Sequence, residues 1–226
     1  MEFFDDRSTR YALVKKGGSS TLGASLRPEA VGGQPIHRFV VLIRHPKARL
    51  LSGYIDLVKT RGFNPCRVPK SEHTDFYRFA KSLCTQSDEA MDHHFAPQVH
   101  SIQGVIDKTP MQPYGQLFIG TLEALDDHLW PKLEFFKGKT LTKRRRRESN
   151  HEAWQTYYDP NKQKGRNADA LVEERYAADL ALWRLIDSMG GWFEHQWGLN
   201  WLDVWAGLLR GEKNFDPSVD KRSALL

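Results

Sequence analysis

The chain has 226 residues, of which 40% are hydrophobic and 27% are charged, and its formal net charge at pH 7 is +5. Such a composition is typical of a folded globular domain and is neither that of a disordered chain nor that of a membrane-spanning one. No run of about 18 apolar residues occurs, and the acidic, polar start MEFFDDRSTR lacks the pattern of a signal peptide, so neither a transmembrane helix nor a leader is predicted. The positive charge favours acidic partners such as nucleotides, sulfated glycans or nucleic acid, without choosing among them.

The first half of the chain predicts two strand–helix units. A short strand from Tyr11 to Lys15 leads through a glycine-rich turn into a helix that begins near Ser19 or Ser20, since serine is a favoured N-cap. The apolar run IHRFVVLIR predicts a strand covered on both faces. A helix with Pro46 in its first turn follows that strand.

The second half predicts further helices and one more strand. A helix is expected over Thr74–Thr85, and GQLFIG predicts a third strand, followed by a helix over Leu122–Phe136. A long basic and polar connection leads to a helix over Asp169–Met189, which carries apolar residues on one face, and then to a tryptophan-rich segment that we expect to pack.

Alternating strands and helices predict an α/β fold, specifically three α/β/α layers around a central, mainly parallel sheet. The length fits one domain over residues 1–226, and residues 210–226 are expected to form a frayed tail.

The first strand–helix junction has the composition of an anion-binding loop. Lys16 precedes a Gly-Gly-Ser-Ser-Thr run, and hydroxyls, a lysine and the backbone N–H groups of a helix N-terminus together make a phosphate cradle. The Walker pattern is absent, because the lysine comes before the glycines. An ordinary strand–helix turn is the alternative interpretation.

The second junction places Arg44 at the end of the IHRFVVLIR strand and Ser52 on the helix that follows. Open α/β sheets bind ligands at the carboxyl ends of their strands. Two such junctions on neighbouring strands suit a ligand with two separated anionic ends. The alternatives are a solvated arginine and a serine that bonds to its own helix backbone.

Several segments resemble, in the same order, those of sulfotransferases that use 3′-phosphoadenosine 5′-phosphosulfate (PAPS). LVKKGGSSTL resembles their 5′-phosphosulfate loop, and RHPKARLLSGY is similar to their 3′-phosphate motif, R-x-P-x-x-R-x-x-S-x-Y. DHHFAPQ resembles the D-x-H-[WF]-x-P-Q segment of the Golgi carbohydrate sulfotransferases, a group that includes the chondroitin enzymes. FIGTLEAL and YYDP…VEERYAADLALW look like later blocks of that group, so the resemblance spans Leu13 to Ile186.

The resemblance implies a P-loop-like sulfotransferase fold, PAPS as cosubstrate without a metal, a hydroxyl acceptor on a carbohydrate, and residence in the Golgi lumen. Lys16 would contact the bridging oxygen and the sulfuryl group, while Arg44 and Ser52 would hold the 3′-phosphate. The full set of implied cofactor-binding residues besides Lys16 is Lys15, Gly17, Gly18, Ser19, Ser20, Thr21, Arg44 and Ser52.

Transfer to a hydroxyl requires a base, and histidine is suited because its ordinary pKa lies near neutral. His94 of DHHFAPQ is our first candidate, ahead of His37 and His100. The alternative is that DHHFAPQ only organises a loop. A metal site formed by Asp92, His93 and His94 is disfavoured, because adjacent residues rarely converge on one ion.

The run Lys143–Arg147 allows three interpretations: a solvated loop, a nucleic-acid or nuclear-localisation patch, or a contact for an anionic glycan. Nucleic acid is the less favoured partner, because no aromatic residues are interleaved in the run. The segment between Lys16 and Arg44 is short for the family, which leaves the acceptor open. Competing functions are a polyanion-binding module, a magnesium-dependent nucleotide kinase, and a sulfotransferase-like fold that binds nucleotide without turnover.

Overall fold

A computed structural model describes residues 2–17, 19, 23, 35–64, 67–108, 115–124, 156–194 and 200–212. In these residues five strands form one sheet in the order β1 to β5. The strands are β1 (Glu2–Asp6), β2 (Thr9–Leu13), β3 (Arg38–Ile43), β4 (Gln116–Thr121) and β5 (Trp192–Glu194).

The three central strands are parallel, and each edge strand runs antiparallel to its neighbour. In the register, Thr9 lies opposite Arg38, and Arg38 lies opposite Gln116. The carboxyl ends of β2, β3 and β4 therefore meet at one edge of the sheet. This confirms an α/β fold with an open, mostly parallel sheet.

The helices whose bounds the structure describes all follow β3. They are α1 (Pro46–Gly53), α2 (Phe76–Cys84), α3 (Gln98–Ile106), α4 (Gln163–Arg175), α5 (Ala177–Ser188) and α6 (Trp201–Leu209), with a π-helical turn over Tyr54–Thr60 and a 3-10 turn over Lys70–Glu72. Pro46 occupies the start of α1, and Asp75 caps α2 by accepting the N–H groups of Tyr77 and Arg78. None of the described helices is long and apolar enough to cross a membrane.

One face of the sheet packs against α3, α5 and α6 through a single apolar cluster. Its buried members are Ala12, Val14, Phe39, Val41, Ile43, Ile102, Val105, Ile106, Leu117, Ile119, Leu182, Leu185, Ile186, Val204, Trp205 and Leu208. Side chains of the other face, among them Tyr11, Val40 and Phe118, are buried too. Burial of both faces explains why β3 reads as a continuous apolar run. The three-layer arrangement stays a prediction.

Two of the predicted elements have different bounds in the structure. The strand predicted over Tyr11–Lys15 is β2 (Thr9–Leu13), and the helix expected over Asp169–Met189 is two helices that meet at Tyr176. Tyr176 leaves the helical region (φ −111°, ψ 30°), yet its N–H still bonds to Val172 and its carbonyl still accepts from Leu180. The apolar spacing therefore runs through the break without revealing it.

Strands β1 and β5 and helix α3 were not predicted, because they are short or begin in polar sequence. Beyond Ala124, the helix expected over Leu122–Phe136 lies outside the described residues, as does the run Lys143–Arg147. The same holds for residues 213–226 of the expected tail, so its fraying and the single-domain organisation stay predictions.

Candidate functional site

The turn after β2 passes close to the end of β3. Gly17 donates its N–H to Val14 at 3.0 Å, and a Cβ on Gly17 would lie 3.1 Å from the carbonyl oxygen of Leu42 and 3.2 Å from Oε1 of Gln98. A glycine therefore suits this close approach, since a larger residue would force its neighbours to move by a few tenths of an ångström. Lys16 has a left-handed backbone with φ 59°, which costs a non-glycine residue about 1–2 kcal/mol.

Gln98, the last residue of DHHFAPQ, fixes the backbone where β3 ends. Its Oε1 accepts the N–H of Arg44 at 2.9 Å, and its Nε2 donates to the carbonyl oxygen of the same residue at 2.8 Å. Gln98 is 1% exposed, so both amide groups depend on these bonds. DHHFAPQ and the Arg44 segment, far apart in sequence, therefore meet at the sheet edge.

Arg49 of α1 connects the same segment with the first loop. Its Nε donates to the carbonyl oxygen of Lys15 at 3.0 Å, and its Nη2 donates to that of Ala96 at 2.8 Å. The side chain is 1% exposed. One guanidinium thus holds together the loop after β2, helix α1 and DHHFAPQ.

Helix α5 and the residue before it support DHHFAPQ from beneath. Asp179 accepts the N–H groups of Gln98 at 2.7 Å and Val99 at 2.9 Å, which caps the N-terminus of α3. The Tyr176 hydroxyl donates to the carbonyl oxygen of Phe95 at 2.7 Å. The VEERYAADLALW block therefore contributes to the site through backbone contacts.

Arg44 lies beside a carboxylate from the turn after β4. Its Nε is 3.9 Å from Oε1 of Glu123, which also accepts the N–H of His45 at 2.9 Å, while Oε2 accepts Nε1–H of Trp183 at 3.2 Å. Burial lowers the pKa of Arg44, and Glu123 opposes that effect. Arginine nevertheless stays protonated in proteins, so Arg44 is a partly buried cation at the end of β3.

Ser52 lies on α1 and is half-buried. Its hydroxyl makes no hydrogen bond within the part of the chain that the structure describes. A serine bonded to its own helix, the alternative raised by the sequence, is therefore not what the structure shows.

Lys16 forms an ion pair with Asp56, which belongs to the π-helical turn after α1. Arg61 approaches the same carboxylate, with Nη2 3.2 Å from Oδ1. Burial acts to raise the pKa of Asp56, but Lys16 and Arg61 lower it by more, so the pKa falls below its ordinary value. Asp56 is therefore an anion at neutral pH, held between two cations.

His94 is oriented by Asp92. The carboxylate lies 2.6 Å from Nδ1 of His94 and also accepts its backbone N–H at 2.8 Å. An ionised carboxylate only accepts, so Nδ1 carries the proton and Nε2 keeps its lone pair. Burial lowers the pKa of His94 by more than the Asp92 hydrogen bond raises it, and the charges of His93 and Lys16 lower it further. A neutral imidazole with a fixed tautomer at pH 7 is suited to act as a base.

The ligand atoms of Asp92, His93 and His94 lie within 4.8 Å of one another. Chain adjacency argued against such convergence, but these residues stand in a turn, in which the backbone carbonyl oxygen of Asp92 accepts the N–H groups of Phe95 and Ala96. An ion bound there would compete with the proton shared by Asp92 and His94. A site without a metal stays a prediction.

The structure brings six of the predicted residues to one region at the carboxyl edge of the sheet: Lys15, Lys16, Gly17, Arg44, Ser52 and His94. Ser19 has helical backbone, and Gly18, Ser20 and Thr21 lie outside the described residues. His37 precedes β3 at the opposite end of the sheet, and the exposed His100 faces Asp88, with 3.8 Å between Nδ1 and Oδ2.

Sequence reasoning named no role for four further residues at this edge: Arg49, Asp56, Gln98 and Asp179. Arg49, Gln98 and Asp179 stand inside the quoted segments, which was the one signal that pointed to them, whereas Asp56 lies outside those segments. Comparisons of the chain with family models, with curated proteins and with solved structures gave no match.

Proposed function

We propose that this protein is a sulfotransferase that moves a sulfuryl group from PAPS to a hydroxyl, expected on a carbohydrate. The observation that carries the proposal is the Arg49 and Gln98 network, which joins the Lys16 loop, the end of β3 and DHHFAPQ at one sheet edge. These are three of the five segments whose sequences resemble those of the sulfotransferases. The sulfotransferase-type fold and the membership in that family are part of the same proposal.

The donor has two anionic ends, a 5′-phosphosulfate and a 3′-phosphate. In the proposal, Lys16 and the Gly17 turn take the phosphosulfate, helped by the helix that includes Ser19. Arg44 and the hydroxyl of the half-buried Ser52 take the 3′-phosphate. Strands β2 and β3 are direct neighbours, which places the two cationic ends on adjacent strands.

His94 acts as the general base. Its Nε2 takes the proton of the acceptor hydroxyl while the acceptor oxygen attacks sulfur and the bond from sulfur to the bridging oxygen breaks. The products are the sulfated acceptor and 3′-phosphoadenosine 5′-phosphate (PAP). The Lys16 ammonium stabilises the negative charge that develops on the leaving oxygen, which is the main demand of such a transfer.

The proposal includes two less specific expectations. Lys143–Arg147 would contact an anionic acceptor glycan, and the protein would act in the Golgi lumen. The test of the cofactor site depends on neither of these expectations.

Calorimetric titration of PAP into the pure protein tests the cofactor site, with AMP and magnesium-ATP as comparison ligands. We expect PAP to bind tightly, and we expect this binding to require the 3′-phosphate that AMP lacks. Arg44→Ala should weaken PAP binding about 10- to 150-fold, since a charge-assisted hydrogen bond is worth about 1.5–3 kcal/mol. Arg38→Ala is the matched control, because Arg38 begins the same strand and bonds to Gln116 at its opposite end.

Equal binding of PAP and AMP would overturn the proposal and favour a polyanion-binding surface, whose affinity should fall steeply with salt. Preference for magnesium-ATP would favour a kinase.

A further inference from the structure

We propose that Asp56 is a positioning residue, which aims the Lys16 ammonium for sulfuryl transfer and at the same time weakens nucleotide binding. The inference rests on the proposed function. It assigns a role to a carboxylate that neither the motifs nor the chemistry above requires.

The geometry places Asp56 between the reactive lysine and a second cation. Its carboxylate pairs with Lys16 on one side and with Arg61 on the other, where Nη2 lies 3.2 Å from Oδ1. The Lys16 side chain is 17% exposed and that of Asp56 is 29% exposed, so the pair is partly accessible to solvent and does not belong to the core. Arg61 keeps the carboxylate in place while it holds Lys16.

Asp56 lies four residues after Ser52, in the π-helical turn Tyr54–Thr60. π-Helical turns are rare in proteins as a whole, and those that occur are often found at functional sites. The helical segment that carries Ser52, proposed to bind the 3′-phosphate, therefore also carries Asp56, whose carboxylate contacts the lysine proposed to bind the 5′-phosphosulfate. One helical segment thus contributes a side chain to each end of the proposed donor site.

The lysine needs such a partner for its direction. Arg49 holds the backbone beside it through the carbonyl oxygen of Lys15, but a lysine side chain has a flexible four-carbon stem and a compact charge. An ion pair with Asp56 selects among the positions of the ammonium. Sulfuryl transfer is sensitive to such placement, because a misplacement of about 1 Å costs a reaction of this kind about a hundredfold in rate.

The same carboxylate repels the donor. It is an anion next to the place of the phosphosulfate, and like charges at short range disfavour each other. It also competes with the phosphosulfate for the Lys16 charge. Removal of the Asp56 charge should therefore raise affinity and lower turnover, two effects of opposite sign that a merely structural residue would not produce.

The test measures the affinity for PAP by calorimetry and the rate of PAP formation at saturating PAPS, with water or an added carbohydrate as acceptor. For Asp56→Asn we expect PAP to bind about two- to fivefold more tightly, the range of a partly exposed charge pair. Formation of PAP should slow about ten- to a hundredfold, because the ammonium loses its direction. Asp56→Glu keeps the charge and should retain the wild-type affinity while recovering part of the rate.

Asp169→Asn is the matched control. It removes a carboxylate of the same kind, paired with Lys47 of α1 at 2.5 Å, while Glu173 continues to hold Lys47 at 2.8 Å. The change in net charge is identical, so any effect of overall charge on PAP binding appears in both variants. Thermal unfolding of each variant shows that it is folded, and Asp56→Ser replaces Asp56→Asn if the asparagine variant is not.

The outcomes separate the two proposals. Wild-type protein that does not prefer PAP to AMP, or that binds PAP without accelerating its formation from PAPS, overturns the proposed function before any variant is used. If the wild type passes, tighter binding with slower turnover supports the role of Asp56. Weaker binding, unchanged binding, or a turnover that does not fall overturns that role alone.

Discussion

Two groups of polar side chains surround the candidate site, one in the interior and one at the surface. The interior group contacts backbone atoms, and each member is 1% exposed: Arg49, Gln98 and Asp179. The surface group consists of two carboxylates that contact the proposed reactive side chains, with Asp56 29% exposed beside Lys16 and Asp92 16% exposed beside His94.

The difference teaches how stability and reactivity can be separated in this protein. A buried polar group that loses its partner destabilises the fold, because it cannot turn to water instead. A half-exposed carboxylate contributes little to stability, since solvent screens it, but it still sets the direction and charge of its partner. Variants of the interior group should therefore unfold the protein more easily, and variants of the surface group should slow the reaction.

The largest effect is expected at Arg49. Arg49→Ala removes the guanidinium that joins the carbonyl oxygens of Lys15 and Ala96, so both oxygens lose their hydrogen-bond donor. The buried carboxylate of Asp179 also loses the favourable interaction with the positive charge of Arg49. Breaking a buried charged contact costs about 3–5 kcal/mol, so the free energy of unfolding in urea should fall by that amount. Arg78→Ala, at an exposed position of α2, should change it by less than about 0.5 kcal/mol. A small loss at Arg49 would contradict the division into two groups.

His94 should show the reverse behaviour. His94→Ala removes the proposed base, which lowers the rate of PAP formation in the presence of a carbohydrate acceptor about a hundredfold or more. Its free energy of unfolding should change little, because the side chain is 22% exposed and its partner Asp92 is close to solvent. His93→Ala, at the neighbouring side chain that is 51% exposed, is the control. A larger loss of rate in the His93 variant would transfer the role of base to that residue.

The comparison also shows which parts of the site the sequence could predict. The apolar run of β3 and Pro46 at the start of α1 are local signals, and both elements lie where they were predicted. The contacts of the interior group have no local signal. Arg49 meets Lys15 across 34 positions, and Gln98 meets Arg44 across 54.

The ion pair between Lys16 and Asp56 could not be predicted from the sequence either, since 40 positions separate the two residues. A single carboxylate in a helical segment is typical of a solvated residue, and the packing of the loop after β2 is what gives Asp56 the partner Lys16 in addition to the nearby Arg61. His94 and Asp92 are neighbours in the chain, so DHHFAPQ did suggest them. Their hydrogen bond and the resulting tautomer needed the turn geometry.

Substitution of Gln98 is expected to have an intermediate effect, and it should lower both the free energy of unfolding and the affinity for PAP. Gln98→Leu keeps the volume but leaves the N–H and the carbonyl oxygen of Arg44 without partners, at a cost of about 2 kcal/mol in the free energy of unfolding. PAP binding should weaken as well, because the backbone that directs Arg44 is no longer fixed. Gln163→Leu, on the exposed face of α4, is the control for both measurements. Loss of stability without any change in PAP affinity would separate Gln98 from the ligand site.

The smallest effect concerns pH and involves two histidines near the edge. Burial lowers the pKa of His45, with Lys47 and Arg184 adding to the shift and Glu123 and Asp169 opposing it. Burial likewise lowers the pKa of His94, with His93 and Lys16 adding to the shift and Asp92 opposing it.

Both groups bind a proton more weakly in the folded protein than in the unfolded chain, where a histidine has a pKa of about 6.5. The unfolded state therefore binds more protons as the pH falls below that value, so the stability that these neutral side chains provide is present above about pH 6.5 and is lost as the pH falls through their folded pKa values. Unfolding in urea, measured between pH 8 and pH 5.5, should show this decline. His45→Gln and His94→Gln should each flatten it, with His100→Gln at an exposed position as the control. A decline that persists unchanged in both variants would show that other groups cause it, and a rise in stability toward acid would contradict the neutral imidazole on which the role of His94 depends.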